Sequence, residues 1–249
     1  IILSLTASSI YVINDIVDIK SDQNHPYKKN RPLAAGLISL NQCKTLIIFL
    51  LFLCVFFLLG VNTNFLLLII CYFIISNLYT FILKKFVIID LLILSSLYTL
   101  RIMGGGFVTD ISVSIWLLSF SIFFFISLAS VKRQIELVNA EKFKKKEISG
   151  RGYTLADKKI INFISVSSGF ISILVLIFYI NSPQVLKLYS YPDILWGMCL
   201  IMLFWISRII VNSNKGEIKD DPIIYAIKDI ISYVCLLSIL CIIWLGITI

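Results

Sequence analysis

Phe65–Leu83 reads FLLLIICYFIISNLYTFIL, nineteen residues without a charged side chain. As a helix at about 1.5 Å per residue, such a run spans nearly the whole hydrocarbon core of a bilayer. Lipid offers no hydrogen bonds, so the backbone must satisfy its N–H and C=O groups within the segment, and helix is the state that does so. Comparable runs occupy 1–13 (partial), 37–59, 87–106, 112–131, 160–180, 193–211 and 226–249. The chain is 59% hydrophobic and 14% charged, with a mean hydropathy of +0.97. A soluble domain with a charged surface does not reach these values. The expected fold is all-α, a multi-pass transmembrane helical bundle forming a single domain over 1–249. The first run is apolar from Ile1 onward and residue 1 is not Met, so the chain is expected to start inside a helix, N-terminally incomplete. That run has no basic leader and no small-residue cleavage site, which argues against a signal peptide.

The formal net charge of +8 would suit nucleic acid, but its distribution points elsewhere. Lys20, Lys28, Lys29 and Arg31 fall in the first loop, and Lys84 and Lys85 in the third. Nine Lys or Arg lie between Lys132 and Lys159, and Arg208, Lys215, Lys219 and Lys228 follow in the seventh loop. The intervening loops at 60–64, 107–111 and 181–192 hold only Lys187. By the positive-inside rule the basic loops are cytoplasmic, and no nucleic-acid partner is needed to explain them. The expected location is an integral position in a bacterial inner or plasma membrane, with the polar site facing the cytoplasm. The six cysteines lie in or beside apolar runs without a CxxC pair or a neighbouring His, which suggests packing rather than a metal or disulfide framework.

The chemistry concentrates in Asn14-Asp15-Ile16-Val17-Asp18-Ile19-Lys20-Ser21-Asp22. Asp15, Asp18 and Asp22 stand at i, i+3 and i+7, so a continuing helix places them on one stripe. Like charges at that spacing repel, and a divalent cation reverses the sign. Mg²⁺ suits the array because it keeps waters and binds one or two carboxylates together with phosphate oxygens. The cluster His25-Pro26-Tyr27-Lys28-Lys29-Asn30-Arg31-Pro32 follows. Arg31 offers a bidentate fork to a diphosphate and Lys28 a point charge. Positive-inside charge is the alternative for Lys29, and His25 has a structural alternative to phosphate binding.

NDIVDIKSD followed by HPYKKNRPLAAG resembles the first aspartate-rich motif and downstream RPLA(A/S)G of the UbiA superfamily of intramembrane prenyltransferases. Lys84, Asp90, Arg101, Gly104-Gly105, Trp116 and Lys132-Arg133-Gln134-Ile135-Glu136-Leu137 are similar to the branch containing decaprenyl-phosphate phosphoribosyltransferase. Ser149-Gly150-Arg151-Gly152-Tyr153 and Asp220-Asp221-Pro222 resemble a bacterial branch whose members often carry an upstream haloacid-dehalogenase-like domain, absent from these residues. The resemblance implies a nine-helix bundle holding Mg²⁺ and a diphosphate above a lipid-accessible cavity. Eight segments then imply that the first family helix lies upstream of Ile1, with any further domain before it. Aromatic prenyltransferases carry a second acidic motif where this chain has Lys132-Arg133-Gln134-Ile135-Glu136. One acid and two bases hold a second Mg²⁺ less well and an extra phosphate better.

The expected reaction is therefore Mg²⁺-dependent transfer of 5-phosphoribose from phosphoribosyl diphosphate to a polyprenyl phosphate, with diphosphate leaving. The alternatives are aromatic prenyl transfer of the 4-hydroxybenzoate type and, more remotely, a membrane transporter. Transport is disfavoured because the acids gather at one face while mid-span positions are nearly free of charge. Asp15, Asp18 and Asp22 are the candidate catalytic and metal-binding residues. Asn14, Lys28, Arg31, Lys84, Asp90, Lys132, Arg133 and Glu136 are the candidate substrate contacts. Lys132 and Arg133 would grip a phosphate and Glu136 a ribose hydroxyl or a metal-bound water, against the alternative of snorkelling charges at a helix end. Asp90 is expected in a polar cavity, since an unpaired acid costs about 2.5 to 3.5 kcal/mol near a helix centre. Arg101 either pairs structurally or meets the lipid substrate, Gly104-Gly105-Gly106 permits close packing, and Asp220 and Asp221 either complete the polar mouth or form a solvated loop.

Overall fold

The computed structural model describes residues 1–24, 28–144, 146–148, 150–218 and 221–248. His25 and Asp220 lie outside them. The long helices are α1 (Ile2–Gln23), α2 (Leu40–Leu58), α3 (Thr63–Phe81), α4 (Ile89–Thr109), α5 (Ile115–Lys142), α6 (Lys158–Ile180), α8 (Trp196–Lys215) and α10 (Ile230–Thr248), with short α7 (Pro183–Leu188) and α9 (Pro222–Lys228) between them. The fold is all-α, and eight of its helical segments are long and apolar enough to cross a membrane, as the hydropathy predicts.

Helix starts follow local chemistry. Ser39 caps α2 in a reciprocal box with Gln42, Asn62 caps α3, Ser114 caps α5 and Asp221 caps α9 just before Pro222. Each supplies an acceptor for an otherwise orphaned N–H of the first turn. Two boundaries differ most from the hydropathy reading. Helix α1 runs ten residues beyond the apolar run 1–13, and α5 runs eleven beyond 112–131. In both places charged residues continue a helix rather than end it.

The chain divides into two compact units, Ile1–Ser112 with Ser149–Gly152, and Val113–Ile148 with Tyr153–Ile249. In the first, α1 packs on α2 and α3, and α3 on α4. Its cores are small: Cys54, Phe65, Leu68 and Ile69 in one, Ile10, Tyr72 and Leu97 in another. A Cβ on Gly104 would come 2.9 Å from the Leu3 side chain and 3.4 Å from Phe65 and Leu68, so glycine lets α4 approach its neighbours. In the second unit α5 lies along α6, and α8 packs on α5, α6 and α10 around a core including Val131, Ile135, Ile173, Ile206 and Ile209. Gly169 plays the same part there, since a Cβ would sit 2.8 Å from Ile206 and 2.9 Å from the Ser127 hydroxyl. Large apolar side chains point outward along the spans, with Phe52 66% and Leu200 71% exposed. A bilayer supplies the solvent such surfaces require. All six cysteines are free thiols.

Candidate active site

Because α1 continues to Gln23, Asp15, Asp18 and Asp22 lie on one stripe, each with a cation. Arg31 donates from one nitrogen, Nη1, to Asp15 Oδ1 at 2.7 Å and to Asp22 Oδ2 at 2.8 Å. Lys84 donates from Nζ to Asp18 Oδ1 at 2.6 Å and to Asn14 Oδ1 at 3.2 Å. Six residues of the sequence reading, Asn14, Asp15, Asp18, Asp22, Arg31 and Lys84, are thus joined along the stripe.

The RPLAAG segment presents Arg31 by its backbone. The Arg31 N–H bonds to Lys28 O, the Ala35 N–H to Arg31 O, and the Leu37 N–H to Pro32 O, while Leu33 is buried. Gly36 closes this turn at φ +74, a left-handed conformation that favours glycine. Lys28, in the short turn Lys28–Asn30, lies within electrostatic reach of Asp15. Lys84 sits in the turn Leu83–Lys85 between α3 and α4 and is only 4% exposed. Burial pushes its ammonium below the usual lysine range, with the bond to Asp18 opposing that shift.

Asp90, at the start of α4, is fully buried. It accepts from the Tyr79 hydroxyl at 2.8 Å and from Arg151 Nη1 at 2.9 Å, and Arg151 also donates to the Tyr79 oxygen at 3.0 Å. Two features seat this group. Ile88 has φ +70 and ψ −50, with the Ile89 N–H bonded to Val87 O at 2.9 Å, a strained three-residue turn rare for a β-branched residue. Gly152 lies so close to Lys85 O that no Cβ fits there. Arg151 and Tyr79 were not singled out by the sequence reading as site residues. The signal for Arg151 is its place in the Ser149-Gly150-Arg151-Gly152-Tyr153 stretch that resembles a bacterial branch, which gives it no role; Tyr79 is an unmarked polar residue in an apolar run.

The donors fit Mg²⁺ in kind, being hard carboxylate oxygens beside an amide oxygen. They are not a ready-made cage: among the described residues no three His, Cys, Asp or Glu side chains converge to hold a metal. The stripe extends over roughly 10 Å of helix, and Arg31 and Lys84 occupy its oxygens. Mg²⁺ normally takes one or two carboxylates and completes its shell with water and phosphate, so a dispersed stripe is compatible with it.

The second unit carries the other candidates. Lys132 pairs with Asp221 at 2.6 Å, and Arg133, fully buried, pairs with Glu136 at 2.5 Å. Gln134 donates to Asn214 at 2.6 Å, and Asn214 to Asn162 at 2.6 Å. Arg208 grips Asp229 through two bonds of 2.6 and 2.9 Å, a pair that the sequence reading missed. Burial alone would raise the Asp221 carboxyl, but the Lys132 charge and hydrogen bonds outweigh it and hold the group below its ordinary value. The Arg208 hydrogen bond does the same for Asp229.

Comparison with known proteins matches residues 1–219 to the UbiA prenyltransferase family. Among relatives, the nodulation protein NoeC of Azorhizobium caulinodans is 33% identical over 94% of this chain and 76% of its own length. Protein y4nM of Sinorhizobium fredii is 34% identical over 90% of this chain, which spans only 44% of that longer protein. The decaprenyl-phosphate phosphoribosyltransferase of Mycolicibacterium smegmatis is 28% identical over 99% of this chain and 76% of its own length.

Proposed function

The chain belongs to the UbiA prenyltransferase family, and on that premise we propose that this membrane-embedded transferase moves 5-phosphoribose from phosphoribosyl diphosphate to a polyprenyl phosphate, with Mg²⁺ as its cofactor. The observation that carries the reading is the pairing on α1, where one guanidinium bridges Asp15 and Asp22 and a buried ammonium holds Asp18 and Asn14. Carboxylates serve a divalent ion and cations serve a diphosphate, and the stripe supplies both in one place.

A diphosphate is a more highly charged partner for Arg31 and Lys84 than single carboxylates are. Their transfer to it frees oxygens of Asp15, Asp18 and Asp22. Mg²⁺, when bound there, supplies neutralisation of the leaving diphosphate. The bond from ribose C1 to the diphosphate oxygen breaks with its electron pair on the leaving group, and an ionised oxygen of the acceptor phosphate forms the new bond to C1. No side-chain nucleophile or base is required, so positioning and electrostatic complementarity carry the reaction. Lys28 is proposed as a further donor to the diphosphate. Asp90 is proposed to hold the turn that aims Lys84. Lys132 and Arg133 are proposed phosphate contacts and Glu136 a ribose-hydroxyl contact, in each case after release from the ion pairs described above. The M. smegmatis relative, a decaprenyl-phosphate phosphoribosyltransferase, supports a polyprenyl phosphate acceptor and transfer of phosphoribose. The basic loops support a cytoplasmic polar face in a bacterial plasma membrane.

The test offers the purified protein, in detergent with Mg²⁺, labelled phosphoribosyl diphosphate with polyprenyl phosphate, or prenyl diphosphate with 4-hydroxybenzoate. Label is expected to enter the lipid phase with the first pair alone, and not with Asp18→Ala. Product from the second pair alone would replace phosphoribosyl transfer with aromatic prenylation.

A further inference from the structure

Arg101 is the thirteenth residue of the twenty-one in α4, roughly 12 Å of helix from the nearer end and well inside the hydrocarbon thickness. Its guanidinium is charged at any accessible pH. Among the described residues it forms no ion pair with a carboxylate; its partners are phenols. Nη2 donates to the Tyr72 hydroxyl at 2.6 Å, the Tyr11 hydroxyl lies within electrostatic reach, and the guanidinium carbon lies 5.5 Å from the Tyr72 ring centre and 5.1 Å from that of Tyr98. The Tyr72 hydroxyl, having accepted from Arg101, keeps its own proton to donate. Beside this group, Gly105 stands one turn on from Arg101, and a Cβ there would meet nothing within 4 Å. A fixed cation, phenol donors and open space thus share one face inside a span.

We propose that Arg101, Tyr72 and Tyr11 form an anion site for the phosphate of an isoprenoid lipid, the acceptor of the transfer proposed above. A lone charge at this depth is costly to keep, and three neutral phenols delocalise it without neutralising it. Phosphate matches a guanidinium fork flanked by hydroxyl donors. Only an anion carried on a long apolar tail reaches the site without leaving its own solvent. Tyr11 ties the site to the aspartate stripe: it precedes Asp15 by four residues, one turn on the same face of α1, at an axial distance of about 6 Å. The acceptor phosphate would therefore wait one turn below the donor's diphosphate.

The proposal rests on the acceptor reading, and the experiment separates the two. Labelled decaprenyl phosphate and neutral decaprenol are each titrated onto the detergent-solubilised protein, with phosphatidylglycerol and inorganic phosphate as competitors, and Mg²⁺-dependent binding of phosphoribosyl diphosphate is read in parallel. The parent is expected to prefer the phosphate to the alcohol, and Arg101→Gln to lose about 10- to 100-fold of affinity for the phosphate alone. Binding of decaprenol and of phosphoribosyl diphosphate is expected to stay unchanged. Tyr72→Phe, which keeps the charge and the ring, is expected to lose about threefold to tenfold and decides the matter if Arg101→Gln does not fold. A parent that prefers the phosphate while both variants keep that preference overturns the Arg101 site and leaves the acceptor reading standing. A parent that does not distinguish phosphate from alcohol overturns the acceptor reading itself. Equal competition by phosphatidylglycerol, lost in Arg101→Gln, retains the anion site but removes the isoprenoid assignment, and displacement by inorganic phosphate alone overturns the lipid claim.

Discussion

Arg31 Nη1 stands between two carboxylates that would otherwise repel each other; Arg31 and Asp15 are more than a third exposed, whereas Asp22 is buried. The exposed Arg31–Asp15 pair contributes only about 0 to 1 kcal/mol, but Arg31→Ala also takes a partner from the buried Asp22 carboxylate, so a modest fall in thermal unfolding temperature in detergent is expected. If Arg31 moves to the diphosphate, the same variant should lose about 100-fold or more in kcat/KM. A fall in melting temperature without a fall in turnover would reverse that assignment. Asp90 is the opposite case, fully buried against Arg151 and Tyr79. Removing one member of a buried pair costs about 3 to 5 kcal/mol, because the other charge is left behind. Asp90→Asn should therefore destabilise strongly, and Asp90→Asn combined with Arg151→Met should recover much of the loss. Additive losses in that double-mutant cycle would show that the two side chains are not coupled.

At the scale of elements, the turn between α3 and α4 holds a strain that glycine would relieve. Ile88 is 50% exposed, so its side chain adds little packing, while its φ of +70 costs about 1 to 3 kcal/mol. Ile88→Gly is expected to raise the melting temperature. If the strained turn aims Lys84 and Asp90, the variant should also lower turnover, and a variant that is both more stable and fully active would show that the strain has no positioning role. These elements also mark what could be read in advance. The eight spans were legible because lipid demands long apolar helices, and the Asp15–Asp18–Asp22 stripe was legible because its spacing is helical. The true ends of α1 and α5 were not. Polar residues there resemble the end of a span, yet α1 is supported by Lys84, 66 residues from Asp18, and α5 by Asp221, 89 residues from Lys132. Local pattern carries no information about such partners, and the same holds for Arg151 reaching Asp90 from 61 residues away.

Across the whole molecule, 22 basic residues outnumber 14 acidic ones, so each protonated carboxylate adds to an existing excess of positive charge. Asp221 and Asp229, both outside the spans, are the groups whose carboxyls are held below their ordinary value by Lys132 and Arg208. Each binds its proton less readily folded than unfolded, where an Asp titrates near about 3.9. The unfolded chain therefore takes up protons first as pH falls, and stability declines with it. The contribution of these two groups is fully present above the unfolded value and is lost as pH drops through the lower folded values. Thermal unfolding in detergent should accordingly be flat from neutral pH down to about 5 and fall steeply below 4. Lys132→Met and Arg208→Met should each lower stability at neutral pH and flatten the acid limb, because the carboxylate then keeps only its remaining hydrogen bonds to favour ionisation in the folded state. An acid limb equally steep in both variants would place its origin in other carboxylates, and the Lys132–Asp221 and Arg208–Asp229 pairs would then be geometric contacts with little energetic consequence.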